Sequence, residues 1–298
     1  MMGILEKIIP RLGRSYVGNY LLKSIVRLYD SALCTTEVVI KQASKCMEST
    51  PCLRFSVAIP HYNRGYSIAR PLRNLLNHPG VAEVVIVDDG SHNDHWQSLE
   101  REVGRIPHAG KIRLYRRKNN VGALRTKFEC VERSLHPWVL VLDSDNTAFV
   151  NYLDALSALD DPRKDTIYCA SWAFPFFPFH ELGNDAITFE RAYELSKNGS
   201  LRRIYIINDG NYLVPRDEYL RYVEELTDMG NHAADVLLVN YRWLSVGNRI
   251  ELMPSTSYLH RIDGSSFWEN TREHSKAQLI KLLDKLNVGE RWSRSFSE

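Results

Sequence analysis

The sequence predicts an α/β protein with a doubly wound, mostly parallel sheet flanked by helices and a helical extension at its N-terminus. Four short apolar runs lie between residues 55 and 142, with helix-length intervals between them, and polar residues collect where runs end. Strands this apolar are typical of parallel sheets that are covered on both faces. The chain of 298 residues, with 44% hydrophobic content, is long enough to bury a substantial core.

The predicted extension covers residues 1–52. Apolar residues such as Ile4, Leu5, Ile8 and Leu12 recur there at helical spacing, and residues 1–29 are locally basic. Three uses fit this pattern: a packing arm on its own domain, a contact in a homo-oligomer, or an amphipathic segment resting on an anionic membrane surface. Packing against protein is the more common use of such a stripe.

The predicted sheet begins after this extension. Its first strands are Phe55–Ile59, Glu83–Val87, Ile112–Tyr115 and Trp138–Leu142. Intervals of about 25 residues between neighbouring strands give room for crossover helices. The candidate helices are Ser67–Leu76, Trp96–Val103 and Gly122–Leu135.

Composition excludes several classes of protein. A formal net charge of +2 provides no overall field that would recruit nucleic acid. The 5 cysteines form no CxxC pair, which favours reduced thiols and a cytoplasmic protein. We find no apolar stretch long enough to span a bilayer and no signal peptide, so any membrane contact is expected to be peripheral, at the inner face.

Polar residues follow the predicted strands at one edge of the sheet. The clusters are Pro60-His61-Tyr62-Asn63, Asp88-Asp89-Gly90-Ser91, Asn119-Asn120 and Asp143-Ser144-Asp145-Asn146. In open α/β sheets, ligands bind outside the carboxyl ends of the strands. These clusters therefore predict a site at that edge.

The Asp143-Ser144-Asp145 element suggests a metal. An extended backbone would turn both carboxylates to one side, with Ser144 opposed. Mg²⁺ or Mn²⁺ bridging carboxylate and phosphate oxygens would relieve the repulsion between them. The alternative is a solvated acidic turn. A calcium loop of the EF-hand type is excluded, because Ala148 and Asp154 occupy its glycine and glutamate positions.

The motifs, taken in order, resemble those of the family 2 glycosyltransferases of the GT-A fold. The resemblance covers roughly Phe55 to Arg261. The matching segments are FSVAIPHYNR, VIVDDGS, NNVGALRTKF, VLVLDSDN, NDGNYLVPRDEYL and ADVLLVNYRWLSVGNRIELMPSTSYLHR.

The resemblance implies a site for a nucleotide-diphosphate sugar. Tyr62 would stack on the base, and Asp89 would accept a hydrogen bond from an imide N–H, which favours uridine. Asn120 and Arg125 would lie near the phosphates or the ribose, and Asp143 would hold the ribose. The remaining donor-site positions taken from the same motifs are Pro60, Asn63 and Ser144.

The resemblance also implies metal and base positions. Asp145 would bind Mn²⁺ or Mg²⁺, and His260 matches an additional metal or phosphate contact. The base usually belongs to a Glu-Asp pair that opens a helix, and here Ala234-Asp235 occupies that place, so Asp235 is the predicted base. Asn146, where many relatives have an aspartate, is a second departure. Asp209 and Asp228 are substitute candidates for the base.

An aromatic and proline-rich stretch lies in the acceptor half. It contains Trp172, Phe174, Phe176, Phe177 and Phe179. Its rings suit a sugar or a lipid-linked acceptor, and a hydrophobic loop that covers the core is the alternative. The prolines at 175 and 178 argue against a central strand.

The expected function is an inverting hexosyltransferase that moves one sugar to a hydroxyl acceptor in glycan, polysaccharide or glycolipid synthesis. The expected domain is 53–270, with a nucleotide-binding half at 53–160, an acceptor half at 161–270 and a helical tail at 271–298. One alternative is a nucleotide-sugar-binding scaffold without catalysis. The other is a nucleotidyltransferase, which would need a glycine-rich phosphate loop after the first strand.

Overall fold

The computed structural model describes residues 51–64, 68–183, 185–197, 209–227 and 235–261. Residues 1–50 of the predicted extension and the predicted tail at 271–298 lie outside these ranges, as do Ala234 and Asp228.

The described residues form strands and helices that alternate through the first half of the chain. The elements are β1 (Phe55–His61), α1 (Ala69–Asn77), β2 (Val81–Asp88), α2 (Asn93–Arg105), β3 (Ile112–Arg116), α3 (Ala123–Arg133), β4 (Trp138–Val141), β5 (Thr147–Ala148), α4 (Val150–Ser157), β6 (Thr166–Phe174), α5 (Phe189–Lys197), β7 (Tyr212–Pro215), α6 (Arg216–Val223), α7 (Asp235–Ser245) and β8 (Arg249–Leu259). The predicted strands and helices of the first half are all present, with ends displaced by a few residues.

The strands form one sheet in the order β3-β2-β1-β4-β7-β6-β8-β5. β1 pairs in parallel with β2 and β4, and β2 pairs in parallel with β3. β7 is antiparallel to both β4 and β6, while β6 is parallel to β8 and β5 is antiparallel to β8. The predicted α/β class is confirmed. The half of the sheet built from β1 to β4 contains only parallel pairs. β7 joins this half to a second half that contains both parallel and antiparallel pairs.

The core lies between the sheet and the helices on its faces. Val57, Ile59, Val84 and Ile86 have no exposed surface, which is why these strands are continuous apolar runs in the sequence. Burial of each such side chain contributes about 1.5–3 kcal/mol to stability relative to leaving it exposed.

The second half of the sheet begins with β6, where every residue is buried. Trp172 and Phe174 belong to this strand, so they are core residues and not part of a loop. The strand ends at Phe174, immediately before Pro175. The prolines follow the strand, but β6 lies between β7 and β8 inside the sheet, so the expectation that this stretch avoids a central strand was wrong for Trp172 and Phe174.

Among the described residues, no helix combines the length and the apolar character that crossing a bilayer requires.

Candidate active site

The carboxyl ends of β1 and β2 are joined by a buried polar network around Asp88. His61 Nδ1 lies 2.8 Å from Asp88 Oδ1, the Ser91 backbone N–H donates to Oδ2 at 3.0 Å, and the Ser91 hydroxyl also donates to the carboxylate. Burial alone would raise the pKa of Asp88, but the hydrogen bonds from His61 and Ser91 outweigh burial and lower it. Asp88 is therefore a structural carboxylate that fixes the two loop starts.

Asn63 ties the loop after β1 to the loop after β2. Its backbone N–H donates to Ser91 Oγ at 2.8 Å, and its Oδ1 accepts the His92 N–H at 2.9 Å. Asn63 has a φ of 52°, a left-handed conformation that asparagine tolerates better than most residues. The preceding Tyr62 is 44% exposed, as a stacking surface requires, and Pro60 is the partly buried residue before His61.

Asp89 holds the loop that follows β3. Its two carboxylate oxygens accept the backbone N–H groups of Val121 and Gly122, each at 2.9 Å. Gly90 has a φ of +72°, and a Cβ there would lie 2.7 Å from the Asn119 carbonyl carbon. Asn120 is exposed at this edge. The contact of Asp89 with an imide stays a prediction, and the structure adds a loop-positioning role that the sequence did not indicate.

The Asp143-Ser144-Asp145 element is a turn, so the expected extended backbone was wrong. The Asn146 N–H donates to the Asp143 carbonyl at 3.0 Å and closes this turn. Ser144 is buried within it. The two carboxylates form ion pairs with different basic side chains. Asp143 pairs with Lys127, and Asp145 pairs with Arg64.

The Arg64–Asp145 ion pair connects the loop after β1 with the loop after β4. Both side chains are about one-fifth exposed, at 23% and 21%. Since Arg64 directly follows Tyr62 and Asn63 in the chain, this pair brings the predicted stacking residue and the predicted metal ligand to one edge. That much of the predicted arrangement is present.

Lys127 is the functional candidate that the sequence analysis missed. Its Nζ lies 3.3 Å from Asp143 Oδ1 and 3.3 Å from Asp235 Oδ2. Burial would lower the pKa of Lys127, but Asp143 and Asp235 raise it above its usual value. Burial would likewise raise the pKa of Asp143, and Lys127 more than compensates and lowers it. Lys127 and Asp143 therefore form an ionised pair, and Asp235 contacts the same ammonium group.

Arg125 lies on a different side of α3. Its guanidinium donates to Thr227 Oγ1 at 3.1 Å and lies 5.3 Å from the centre of the Phe128 ring. Two residues along a helix are separated by roughly 200° of rotation, so Arg125 and Lys127 cannot face the same way. Lys127 occupies the apolar stripe that contains Leu124 and Phe128, and a charged residue in such a stripe was the available sequence signal.

Asn211 connects the turn after β4 with the start of β7. Its Oδ1 accepts the Asp143 N–H at 3.0 Å, and its Nδ2 donates to Asp209 Oδ1 at 3.2 Å. Tyr258 adds a hydrogen bond to the same oxygen of Asp209 at 3.0 Å. Asp209 is 4% exposed, and burial raises its pKa to about 6. Because Asn211 and Tyr258 already occupy the Asp209 carboxylate inside the protein, Asp235 remains the preferred candidate for the base.

Asp235 is the first residue of α7 and is 6% exposed. Gly210 lies close to Val236, the second residue of this helix. A Cβ at Gly210 would lie 2.8 Å from Val236 Cγ2. This close approach places the start of α7 beside the segment before β7. The predicted base thus reaches the same acidic edge as Asp143, although the two are far apart in sequence.

His260 lies among aromatic rings at the end of β8. The ring centroids of Phe176 and Phe177 are 6.3 Å and 5.4 Å from its own, and the Tyr258 ring is 6.0 Å away. Burial lowers the pKa of His260 to about 4 against the opposing attraction of Asp143. The imidazole is therefore neutral near pH 7, the form in which histidine binds metals.

The described residues suit a cation that takes most of its ligands from a bound diphosphate. They contain no group of three or more His, Cys, Asp or Glu that could form a closed metal site. His260 Nδ1, however, is buried without a hydrogen-bond partner among the described residues, and Asp145 has a partly exposed carboxylate, which a cation would share with Arg64. Mg²⁺ is commonly held by one or two carboxylates together with substrate phosphates, so this pair fits such a role.

Asn146, the other departure from the family pattern, is used structurally. Its Nδ2 donates to Asn211 Oδ1 at 3.1 Å, and its Oδ1 accepts the Arg261 N–H at 3.1 Å. It therefore fixes the turn and does not present a free ligand.

Comparisons with known proteins agree with this architecture. The sequence model of the family described as Glycosyl transferase family 2 matches residues 56–202. Polypeptide N-acetylgalactosaminyltransferase 10 of Mus musculus is 33% identical over 119 residues, which are 38% of this chain and 19% of that protein. The chain thus spans about a fifth of the length of the curated relatives it matches.

Two solved structures share the fold. The mannosyltransferase PcManGT from Pyrobaculum calidifontis, in complex with GDP-Man and Mn²⁺, is similar with a TM-score of 0.57 at 15% identity, over 98% of this chain and 80% of that one. S. aureus TarS 1–349 in complex with UDP-GlcNAc gives a TM-score of 0.53 at 19% identity, over 78% of this chain and 67% of that one.

The strand order and these structural similarities define a fold of the GT-A type. The family match includes the ends of β1, β2 and β4 and makes the identification more specific: residues 56–202 match a domain of glycosyltransferase family 2.

Proposed function

We propose that this protein transfers a single sugar from a nucleotide-diphosphate sugar, UDP-linked, to a hydroxyl group of a saccharide or lipid-linked acceptor, with inversion at the anomeric carbon. The observation that carries the proposal is the cluster in which Lys127 binds both Asp143 and Asp235. It brings the expected donor carboxylate and the expected base together at the carboxyl edge, where ligands of open α/β sheets bind.

Asp235 acts as the general base. Its carboxylate removes the proton from the acceptor hydroxyl while that oxygen forms a bond to the anomeric carbon. The bond from the anomeric carbon to the diphosphate breaks at the same time, and the electron pair leaves with the diphosphate. Because attack and departure occur on opposite faces, the configuration inverts. The contact of Lys127 Nζ with Asp235 Oδ2, at 3.3 Å, would hold this carboxylate in place.

Donor binding is assigned to the loops after β1, β2 and β4. The exposed Tyr62 ring would stack on the base, Asp89 would select uracil, and Asp143 would hold the ribose. Asp145 and His260 would hold Mn²⁺ or Mg²⁺, whose positive charge stabilises a leaving diphosphate. The solved proteins of similar fold contain UDP-GlcNAc in one case and GDP-Man in the other, so base selection needs its own measurement.

The second candidate function is a nucleotide-sugar-binding scaffold. Asn146 replaces a carboxylate, and its amide is occupied by hydrogen bonds to Asn211 and Arg261. A protein that binds a donor without transferring its sugar would be compatible with that change.

The test separates donor binding from chemistry. Thermal-shift titrations of UDP-linked and GDP-linked sugars, with and without Mn²⁺, identify the donor, because a ligand of the folded state raises the melting temperature. Asp235→Asn should then lower donor hydrolysis or transfer by about 10²–10⁴-fold, as expected for loss of a general base, while donor affinity is retained. Asp217→Asn, at an exposed aspartate, is the matched control.

Two results would contradict the proposal. Wild-type turnover by Asp235→Asn would remove the base assignment. A wild-type protein that binds a donor but neither hydrolyses it nor transfers its sugar would support the scaffold function.

A further inference from the structure

Lys127 occupies an unusual position for a lysine. It comes from the middle of α3, is 8% exposed, and has its ammonium group 3.3 Å from one oxygen of Asp143 and 3.3 Å from one oxygen of Asp235. Lysine is almost never buried unless it is paired. The two carboxylates come from different elements, the turn after β4 and the start of α7, so a single ammonium group links three parts of the chain.

We propose that Lys127 is a positioning residue that fixes the carboxylate of Asp235 relative to Asp143, so that the base is aligned when the donor is bound. This inference rests on the proposed function, because it takes Asp235 as the base. It assigns to Lys127 no contact with the reacting atoms.

The surroundings of Asp235 make the charge of Lys127 decisive. Two buried tyrosines, Tyr212 of β7 and Tyr219 of α6, also interact with Asp235. Burial raises the pKa of both tyrosines, so they are neutral at physiological pH. Asp143, which shares the ammonium group, is negative and repels a neighbouring carboxylate. The positive charge of Lys127 therefore holds the two carboxylates near each other.

Removal of the charge has a distinctive kinetic consequence. In Lys127→Gln, the two carboxylates lose the ammonium group that lies between them, so Asp235 is no longer held in its place beside Asp143. The chemical step then slows, and kcat falls while donor affinity is retained. A general structural defect would instead lower kcat and donor affinity together.

The experiment compares Lys127→Gln, Lys127→Met and Lys127→Arg with the wild type. Transfer rates at saturating donor are measured alongside donor affinity and urea unfolding. In both neutral variants kcat should fall by at least about tenfold, while the Kd of the donor should change by less than about threefold. Lys127→Arg should restore most of the rate, because it keeps the charge.

Lys111→Gln is the matched control. Lys111 is also partly buried, but its ammonium group donates to the carbonyls of Leu76 and Val81, at 3.2 Å and 3.1 Å. Its loss should leave kcat unchanged even where the stability falls.

Several outcomes would overturn the inference. They are a folded Lys127→Gln or Lys127→Met with the wild-type kcat, a loss of donor affinity as large as the loss of kcat, or a Lys127→Arg variant without recovery. If neither neutral variant folds, Lys127→Arg decides alone: a kcat near that of the wild type supports the inference, and a kcat at least about tenfold lower with unchanged donor affinity refutes it. An active Asp235→Asn would instead refute the proposed function, which is a separate result.

Discussion

Asp209 should make the stability of this protein depend on pH in the opposite sense to most carboxylates. Its Oδ1 accepts hydrogen bonds from the Asn211 backbone N–H at 3.0 Å, from Asn211 Nδ2 and from the Tyr258 hydroxyl. Its Oδ2 is buried without a hydrogen-bond partner among the described residues. Because this oxygen carries uncompensated charge, burial dominates and raises the pKa from 3.8 to about 6.

The magnitude follows from the two pKa values. The folded state holds the proton more tightly than the unfolded chain, so the protein loses stability as pH rises from about 4 to about 6, and the loss is complete above that range. A difference of roughly two pKa units corresponds to about 3 kcal/mol, and about half of it has already developed at pH 5.

Asp209→Asn isolates this contribution. The amide oxygen can keep the three hydrogen bonds that Oδ1 accepts, and the amide nitrogen takes the place of the unpartnered Oδ2, so the charge is the main change. We compare the free energy of unfolding of the variant with that of the wild type. The difference, variant minus wild type, should increase by about 1–2 kcal/mol between pH 5 and pH 8.

Urea unfolding at pH 5, 6, 7 and 8 measures this difference. Asp160→Asn, at an exposed aspartate, controls for the loss of one negative charge and should show little such rise. If the difference between Asp209→Asn and the wild type is the same at pH 5 and pH 8, Asp209 does not titrate as the structure indicates and the reasoning fails.

Two further substitutions test the loops of the site. Tyr62→Ala should weaken donor binding by about 1–3 kcal/mol, or roughly 5–150-fold in Kd, if the ring stacks on the base; calorimetry measures this, and an unchanged Kd would exclude stacking. Gly90→Ala should lower the free energy of unfolding by about 1–3 kcal/mol, because its φ of +72° is strained for alanine and its Cβ would meet the Asn119 backbone at 2.7 Å. Gly104→Ala in α2, where a Cβ would meet nothing within 4 Å, should be neutral or stabilising, and equal losses in the two variants would refute this account.

The first half of the fold could be predicted because its signals are local. Buried parallel strands are continuous apolar runs, and the polar clusters that follow them mark their carboxyl ends. β6 was not predicted as a strand. Its buried Trp172 and Phe174 precede prolines, and the aromatic residues on both sides of the strand end formed one stretch in the sequence.

The site could be predicted only in part, because its decisive contacts join distant segments. The motifs indicated Asp143, Asp145 and Asp235 as candidates. The pairing of Lys127 with two of them depends on how α3 and α7 pack, which spacing alone does not fix. The roles of Asp89 and Asn211 in holding loops are similarly tertiary, since their partners lie 32 and 68 residues away.

The edge position of β3 bears on solubility. Its outer side has no strand partner within the part of the chain that the structure describes, and such an edge can pair with another chain. Arg113 and Arg116 lie on this strand, and Arg116 is exposed. The strand at the opposite edge, β5, is only two residues long. The arginines on β3 and the short length of β5 both discourage edge-to-edge aggregation. Neutral substitutions of the β3 arginines would remove one of these two protections.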